Sequence, residues 1–174
     1  MSGEPLAQPF LLRPAAPGDD AFLRALYRST REPEIAAWGW PEPQVAAFCE
    51  MQFRAQSAGY RQSYPEAEYL VISAANDGPI GRLTRAQRAD SLALVDIALL
   101  PAFRGRGAGT WAIRRLQQEA AARAVPLVLH VDKASPAFAL YRRLGFAVVS
   151  EDGVRYGMRW AAGSPASPPD SHPV

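Results

Sequence analysis

The most distinctive segment of the chain is Leu100-Pro-Ala-Phe-Arg-Gly-Arg-Gly-Ala-Gly109, or LPAFRGRGAG. It places two arginines and three glycines between an apolar run and a segment with helical periodicity. Because glycine has no Cβ, such a stretch can turn tightly, adopt positive φ and let a ligand approach the main chain closely. The stretch is therefore either a tight turn or a site that holds an anion.

The segments on either side of the glycines predict a strand, a helix and a second strand. Residues 91–100 form an apolar run that Pro101 ends, and residues 127–131 form another. Between them, a helix is indicated by the four-residue repeat of Ala112, Leu116, Ala120 and Ala124. Such a unit has parallel strands and a right-handed crossover. The glycines then precede the first turn of a helix, where free N–H groups and the helix dipole favour a phosphate or pyrophosphate.

Two other phosphate-binding patterns fit the loop poorly. A P-loop requires a lysine followed by serine or threonine, whereas Gly109 is followed directly by Thr110. A dinucleotide-binding loop requires G-x-G-x-x-G, whereas Gly105, Gly107 and Gly109 give G-x-G-x-G. Asp132, the acid that could contact a ribose, also comes later than that pattern requires. A dinucleotide-dependent enzyme therefore stays only as an alternative.

Composition limits the class of protein. The chain of 174 residues is 48% hydrophobic and has a formal net charge of +2, with Lys133 as its single lysine. These values fit a globular protein with a core and do not indicate a nucleic-acid-binding protein. Cys49 is the single cysteine, so an internal disulfide is excluded. No apolar run predicts a membrane span or a signal peptide, and we expect a cytoplasmic protein.

The pattern along the chain predicts one folded domain at residues 10–161. A flexible N-terminal segment is expected at residues 1–9, and a disordered Pro- and Ser-rich tail at residues 162–174. Four strands are expected before the glycine loop, the later ones antiparallel, with a hairpin turn at residues 76–78. These strands are at residues 10–13, 68–74, 79–84 and 91–100, and the helices before the loop are at residues 21–29 and 43 to about 58.

A second motif, residues 134–146, follows the second apolar strand. Ser135 is a plausible N-cap, Pro136 occupies the first helical position, and Gly145 provides a left-handed stop. The sequence therefore predicts a short helix. Its inward stripe comprises Ala137, Leu140, Tyr141 and Leu144. Taken alone, Tyr141 would more often be a core aromatic than a catalyst.

Together, residues 100–109 and the stretch Leu140-Tyr-Arg-Arg-Leu-Gly-Phe146 resemble the GNAT superfamily of acyl-CoA N-acyltransferases. The first motif matches that family's pattern of Gln or Arg, two residues, Gly, one residue, then Gly or Ala. With the order of elements, the resemblance covers residues 10–160. It implies an α/β fold with a mixed, mostly antiparallel sheet flanked by helices. It also implies that the central parallel strands splay apart, with the pantetheine arm of acetyl-CoA in the gap.

The resemblance implies a set of cofactor-binding residues. The backbone of Leu99 would hold pantetheine, and a backbone N–H near it would stabilise the oxyanion. The pyrophosphate would lie on the amides of Arg104, Gly105, Arg106, Gly107, Ala108 and Gly109. In this set Arg104 fills the Gln/Arg position, and Arg106 could add a charge-assisted contact to a phosphate. Ser135 stands where an asparagine often contacts pantetheine, so that contact does not carry over directly.

The resemblance also implies catalytic roles. Tyr141 matches the tyrosine that protonates the departing CoA thiolate in many members. A base must remove the ammonium proton of the acceptor, directly or through water. Asp96 is the first candidate for this base, although it could equally pair with an arginine. His130 is the second, with a buried core histidine as the alternative, and Glu66 and Glu68 are weaker candidates.

We therefore expect an acetyl-CoA-dependent N-acetyltransferase that acts on a small-molecule or peptide amine by direct attack in a ternary complex. No metal, nucleic acid or membrane is expected to take part, and a homodimer is possible. The alternative is a catalytically silent CoA-binding sensor or interaction module.

Trp38 and Trp40 either border the acceptor pocket or cap the core beneath a loop. Cys49 is expected to be a small buried apolar residue rather than an acyl carrier.

Overall fold

A computed structural model describes residues 9–163 of the chain, so most of the two predicted terminal segments lies outside the described residues. Within these residues, strands and helices follow one another in a mixed order. They are β1 (Phe10–Pro14), α1 (Asp20–Thr30), α2 (Glu32–Trp38), α3 (Glu42–Ser63), β2 (Ala67–Ala74), β3 (Gly78–Gln87), β4 (Leu92–Leu99), α4 (Ala108–Ala122), β5 (Leu127–Asp132), α5 (Ala137–Arg143), β6 (Ala147–Glu151) and β7 (Arg155–Trp160). Short 3₁₀ turns occupy Pro17–Asp19 and Pro101–Phe103.

The strands form a mixed sheet with the order β1-β2-β3-β4-β5-β7-β6. Antiparallel pairing joins β1 to β2, β5 to β7 and β6 to β7. The pairing of β4 with β5 is parallel and joins Leu92 to Leu127 and Leu94 to Leu129. This sheet, with helices flanking it, confirms the predicted α/β fold class and the βαβ unit around the glycine loop.

The described residues pack as two compact units, and β3 and β4 each contribute to both. The first unit contains the described residues up to Thr84 together with Asp96–Gly109. Its core combines β2, β3 and α1, whose apolar side chains are fully removed from solvent; they are Leu26, Val71, Ile72, Ile80 and Leu83. On the surface of this core α1 packs against α3, and the rings of Tyr27 and Phe53 meet edge to face with centroids 5.7 Å apart.

A smaller apolar cluster joins α2 to α3 in the first unit. Ile35, Val45 and Cys49 are buried in it, and Trp38 packs against them. Cys49 is thus confirmed as a small buried residue. The helix α2 itself was not predicted from the sequence. This helix has a proline near its start, and Gly39 follows its end in a left-handed conformation. It has too few turns to show a periodic apolar pattern.

The second unit contains Arg85–Val95 and the described residues from Thr110 onward. The inward stripe of α4 is buried as its periodicity predicts, since Ala112, Leu116 and Ala120 are at most 1% exposed. The largest fully buried side chain of this unit is that of Phe146, which follows α5. No helix in the described part of the chain is long and apolar enough to span a membrane.

Candidate functional site

The end of β4 lies very close to β3 at Gly81, which has no side chain. A Cβ at Gly81 would lie 2.6 Å from the carbonyl oxygen of Ala98 and 2.6 Å from Cδ2 of Leu99, closer than real Cβ contacts allow. Leu100 then donates its N–H to the carbonyl of Ile80 at 2.9 Å. The two strands therefore approach closely here, and the chain enters the glycine loop from a defined position.

The loop backbone has the conformation that its glycines predict. Gly105 has a φ of +70° and Gly107 a φ of +87°, in the left-handed region that L side chains rarely adopt. A Cβ at either position would meet no atom within 4 Å, so the main chain faces open space. Within residues 9–163, the N–H groups of Gly105, Arg106 and Gly107 donate no backbone hydrogen bond. These donors, followed by the first turn of α4 at Ala108, can hold an anion.

The two arginines of the loop have different contacts. Arg104 donates from Nε to the carbonyl of Leu99 at 3.1 Å, so its side chain ties the loop back to the end of β4. The guanidinium of Arg106 lies over the ring of Phe103, 5.6 Å from its centroid. Both arginines are exposed and add positive charge beside the N-terminus of α4. A pyrophosphate fits this combination of bare backbone, free N–H groups and cations.

Asp96 on β4 belongs to a polar network with residues that sequence reasoning missed. Its Oδ2 accepts a hydrogen bond from Nε of Arg82 at 2.7 Å, and its Oδ1 lies 3.5 Å from the hydroxyl of Tyr60. Arg82 also donates to Oε1 of Gln56 at 3.0 Å. The side chains of Arg82 and Asp96 are only 12% and 17% exposed. The alternative of pairing with an arginine is thus confirmed for Asp96.

Tyr60 of α3 contributes a neutral hydroxyl to this network. Burial raises its pKa to about 12, and the negative charge of Asp96 acts in the same direction. At neutral pH the phenol therefore stays protonated and can donate toward Asp96. The sequence did contain a sign of this network, because Asp96 interrupts an otherwise apolar strand.

A small pocket lies beside this network, within the first unit. The helix α3 lines it with one face, at the spacing i, i+3, i+4 and i+7 that places side chains in line. These residues are Phe53, Gln56, Ser57 and Tyr60, and the other walls are Ala15, Leu23, Tyr69, Leu70, Arg82 and Thr84. The pocket therefore has aromatic and aliphatic walls, and three of its polar residues, Gln56, Tyr60 and Arg82, belong to the network of Asp96.

His130 lies on β5 in the second unit and is exposed. Its neighbours Leu129 and Val131 face the core at 3% and 6% exposure, so the alternation of the strand directs the imidazole to the other side. The interpretation of His130 as a core histidine is therefore wrong. Its proposed role as a base stays a prediction.

Tyr141 lies inside the second unit on α5. Its side chain is 6% exposed, which confirms the predicted inward direction, and its ring meets that of Phe146 edge to face at 5.7 Å. The end of the helix is fixed by Gly145, whose φ is +89°, and by the N–H of Phe146, which donates to the carbonyl of Tyr141 at 3.1 Å. At the other end Ser135 accepts the N–H of Ala137 through Oγ at 3.2 Å.

Trp38, the last residue of α2, and Trp40, which follows it, belong to an aromatic cluster of the first unit. The rings of Trp38 and Trp40 have centroids 4.8 Å apart, and both meet Phe48 edge to face. Trp38 packs on the small core of α2 and α3, which agrees with the core-capping alternative for this residue. Trp40 is 45% exposed, so part of its indole is available to solvent.

Comparisons with known proteins agree with this fold. The sequence profile of the "Acetyltransferase (GNAT) family" matches residues 23–146. No protein of curated function matches the sequence. Among solved structures, PaiA N-acetyltransferase from Thermoplasma acidophilum in complex with coenzyme A has 18% sequence identity and a TM-score of 0.66, and the match covers 87% of this chain and 98% of that one.

Two further structures share the fold at low sequence identity. An acetyltransferase from Thermus thermophilus is 19% identical with a TM-score of 0.61, over 88% of this chain and 97% of that chain. A chimeric spermidine N-acetyltransferase from Vibrio cholerae and hSSAT is 19% identical with a TM-score of 0.63, over 88% and 96%. The glycine loop, the mixed sheet and the match over residues 23–146 together show that the chain belongs to the GNAT acetyltransferase family.

Proposed function

We propose that the protein is an N-acetyltransferase that moves an acetyl group from acetyl-CoA to a primary amine. The observation that carries this proposal is the glycine loop, in which Gly105 and Gly107 hold positive φ and present bare backbone before α4. Membership of the GNAT family supports the choice of acetyl-CoA over a dinucleotide. We also propose a cytoplasmic location, which the single cysteine supports.

Acetyl-CoA would bind mainly through the backbone of residues 104–109. Their N–H groups would contact the pyrophosphate, and Arg106 would leave its ring contact with Phe103 or reach past it to a phosphate. Leu99 would contact pantetheine through its main chain, and Ser135 would add a hydroxyl in place of the family's asparagine. In this proposal Arg104 acts on the loop itself, since its Nε is already bonded to the carbonyl of Leu99.

The reaction requires a neutral amine next to the thioester. The amine nitrogen attacks the acetyl carbonyl carbon, a C–N bond forms and the C–S bond breaks, so that an amide and the CoA thiolate result. The proton of the starting ammonium passes to a base before attack, and the thiolate takes a proton from the hydroxyl of Tyr141. The second proton, which the nitrogen loses as the amide forms, restores the phenol of Tyr141 through water. The main-chain N–H near Leu99 stabilises the charge that develops on the carbonyl oxygen.

Asp96 is the first proposed base and His130 the second. Since Oδ2 of Asp96 is held by Arg82, its Oδ1, on the side of Tyr60, is the atom that would accept the proton. His130 needs no rearrangement to reach solvent, because it is exposed on β5. A relay through water is compatible with either residue.

An amine screen tests the proposed function. Purified protein is incubated with acetyl-CoA and single amines, CoA release is followed with a thiol reagent, and acetyl-CoA and NADH binding are measured by calorimetry. We expect acetyl-CoA binding, no NADH binding and turnover with at least one amine. Acetyl-CoA binding without turnover would identify the silent sensor instead, and NADH binding would identify the dinucleotide alternative.

A further inference from the structure

The pocket beside Arg82 and Asp96 has the character of a substrate-binding site. Its described lining combines aromatic and aliphatic side chains with a few hydroxyl and amide groups, the mixture typical of small-molecule sites. Aromatic rings form its walls on two elements, Phe53 on α3 and Tyr69 on β2, and Leu23 of α1 adds an aliphatic surface. Such walls favour a flat apolar group, because ring-to-ring contacts add to the gain from burying apolar surface.

The polar end of the pocket is close to charge-neutral. Arg82 is the one charged residue among its described lining residues, and its charge is balanced by the ion pair with Asp96 at 2.7 Å. The other polar groups of the described lining are the amide of Gln56 and the hydroxyls of Ser57, Tyr60, Tyr69 and Thr84. A second ammonium group inside the pocket would therefore find no carboxylate of its own and would have to be desolvated without compensation.

From these walls and charges we infer that the pocket holds the body of the acceptor, and that this acceptor is a monoamine carrying one aromatic ring rather than a polyamine. The inference rests on the proposed N-acetyltransferase function. The ring lies between Phe53, Tyr69 and Leu23, and the amine lies at the polar end. Tyr60 connects the two parts, because it lines the pocket and its hydroxyl is 3.5 Å from Oδ1 of Asp96. A bound ring thus directs the amine toward the proposed base.

Direct binding tests the inference without relying on turnover. Wild-type protein saturated with CoA, which cannot transfer an acetyl group, is titrated with 2-phenylethylamine and with spermidine in a calorimeter. We expect 2-phenylethylamine to bind at least tenfold more tightly than spermidine. Equal affinity, tighter binding of spermidine, or no binding of 2-phenylethylamine would overturn the inference.

A matched pair of variants locates the binding site. Ser57→Leu adds apolar volume inside the pocket, whereas Ala58→Leu adds similar volume on the neighbouring exposed position of α3. We expect Ser57→Leu to weaken 2-phenylethylamine at least tenfold and Ala58→Leu to change its affinity less than twofold. Equal effects of the two substitutions would place the ligand elsewhere. If Ser57→Leu does not fold, as judged by circular dichroism, Thr84→Leu fills the pocket from β3 and replaces it in the comparison.

Turnover separates a failure of this inference from a failure of the proposed function. With acetyl-CoA in place of CoA, turnover of spermidine in preference to 2-phenylethylamine would overturn the inference while supporting the acetyltransferase. Tight binding of 2-phenylethylamine that depends on Ser57, without release of CoA, would support the pocket and contradict the acetyltransferase.

Discussion

The Nε of Arg82 on β3 lies 2.7 Å from Oδ2 of Asp96 on β4, and both side chains are largely removed from solvent. This ion pair places the first candidate for the base in a fixed orientation. It leaves Oδ1 on the side of Tyr60, where the pocket with aromatic walls ends. The position of the charge pair thus connects the proposed chemistry of Asp96 with the proposed acceptor site.

Replacing the carboxylate tests Asp96 as the base. We expect Asp96→Asn to lower kcat by about 10²-fold or more and to remove the acidic limb of the pH–rate profile, since an amide cannot accept the ammonium proton. The profile is measured by CoA release with the acceptor found in the amine screen. Arg82→Gln breaks the same ion pair but retains the carboxylate, so it should keep the acidic limb. If both variants lose kcat equally, Asp96 has a structural role, and loss of the limb in His130→Gln would assign the base to His130.

The substitution Gly107→Val tests the glycine loop as the pyrophosphate-binding site. Gly107→Val should abolish acetyl-CoA binding in calorimetry, because its side chain would occupy the open space in front of the loop backbone. Valine at a φ of +87° also strains the backbone, by roughly 1–2 kcal/mol. Gly78→Val, at a φ of +70° at the start of β3, is the control for that strain. Unchanged affinity in a folded Gly107→Val protein would contradict the loop as the pyrophosphate site.

The glycine loop and its flanking elements were predictable because several local rules agree there. An apolar strand stopped by Pro101, three glycines and a four-residue apolar repeat all indicate the same unit, and the structure has β4, the loop and α4 in that order. The start of α4 at Ala108 was less clear from the sequence, because the first helical turn includes Gly109, a poor helix former.

Elements that lack a buried face were not predicted. The strand β6 is exposed at all five of its positions and lies at the edge of the sheet, so it shows no apolar alternation.

The helix α3 continues to Ser63, past the predicted end near residue 58, because Gly59 is tolerated inside it. The pairing of Arg82 with Asp96 depends on the register of two strands, which a single sequence leaves open.

Removing one hydroxyl tests the proposed acid. Tyr141→Phe keeps the ring and its edge-to-face contact with Phe146, so acetyl-CoA affinity and Tm should change little. The rate constant for the chemical step should fall about 10²- to 10⁴-fold, the usual contribution of general acid catalysis. Tyr156→Phe, on β7, is the control and should retain kcat. Full turnover of Tyr141→Phe would exclude the hydroxyl as the acid, and a much lower Tm would indicate a structural role instead.

The acid stability of the first unit should depend on Asp19. The pKa of Asp19 is lowered to about 2. The largest cause is the pair of hydrogen bonds that Arg13 donates, and the second is the hydrogen bond from the N–H of Ala16. Because the folded pKa is below the unfolded one, the carboxylate stabilises the fold above about pH 4, and this contribution is lost as the pH falls toward 2. Asp19→Asn should remove about 2 kcal/mol of unfolding free energy near neutral pH.

Urea unfolding at several pH values measures this contribution. Wild-type protein should lose stability between about pH 4 and pH 2 more steeply than Asp19→Asn. Arg13→Gln removes the main cause of the pKa shift and should flatten the pH dependence in the same way. Parallel pH curves for wild type and Asp19→Asn would contradict the assignment.

Mass spectrometry of the acceptor after incubation with acetyl-CoA shows whether the protein transfers an acetyl group to an amine. The protein is mixed with acetyl-CoA and 2-phenylethylamine, and the amine is analysed while both substrate concentrations are varied. We predict a product heavier by one acetyl group, formed in equal amount to free CoA, with initial-rate lines that intersect as direct attack in a ternary complex requires. Across a broader amine panel, release of CoA without any acetylated amine, or no release at all despite tight acetyl-CoA binding, would contradict an N-acetyltransferase.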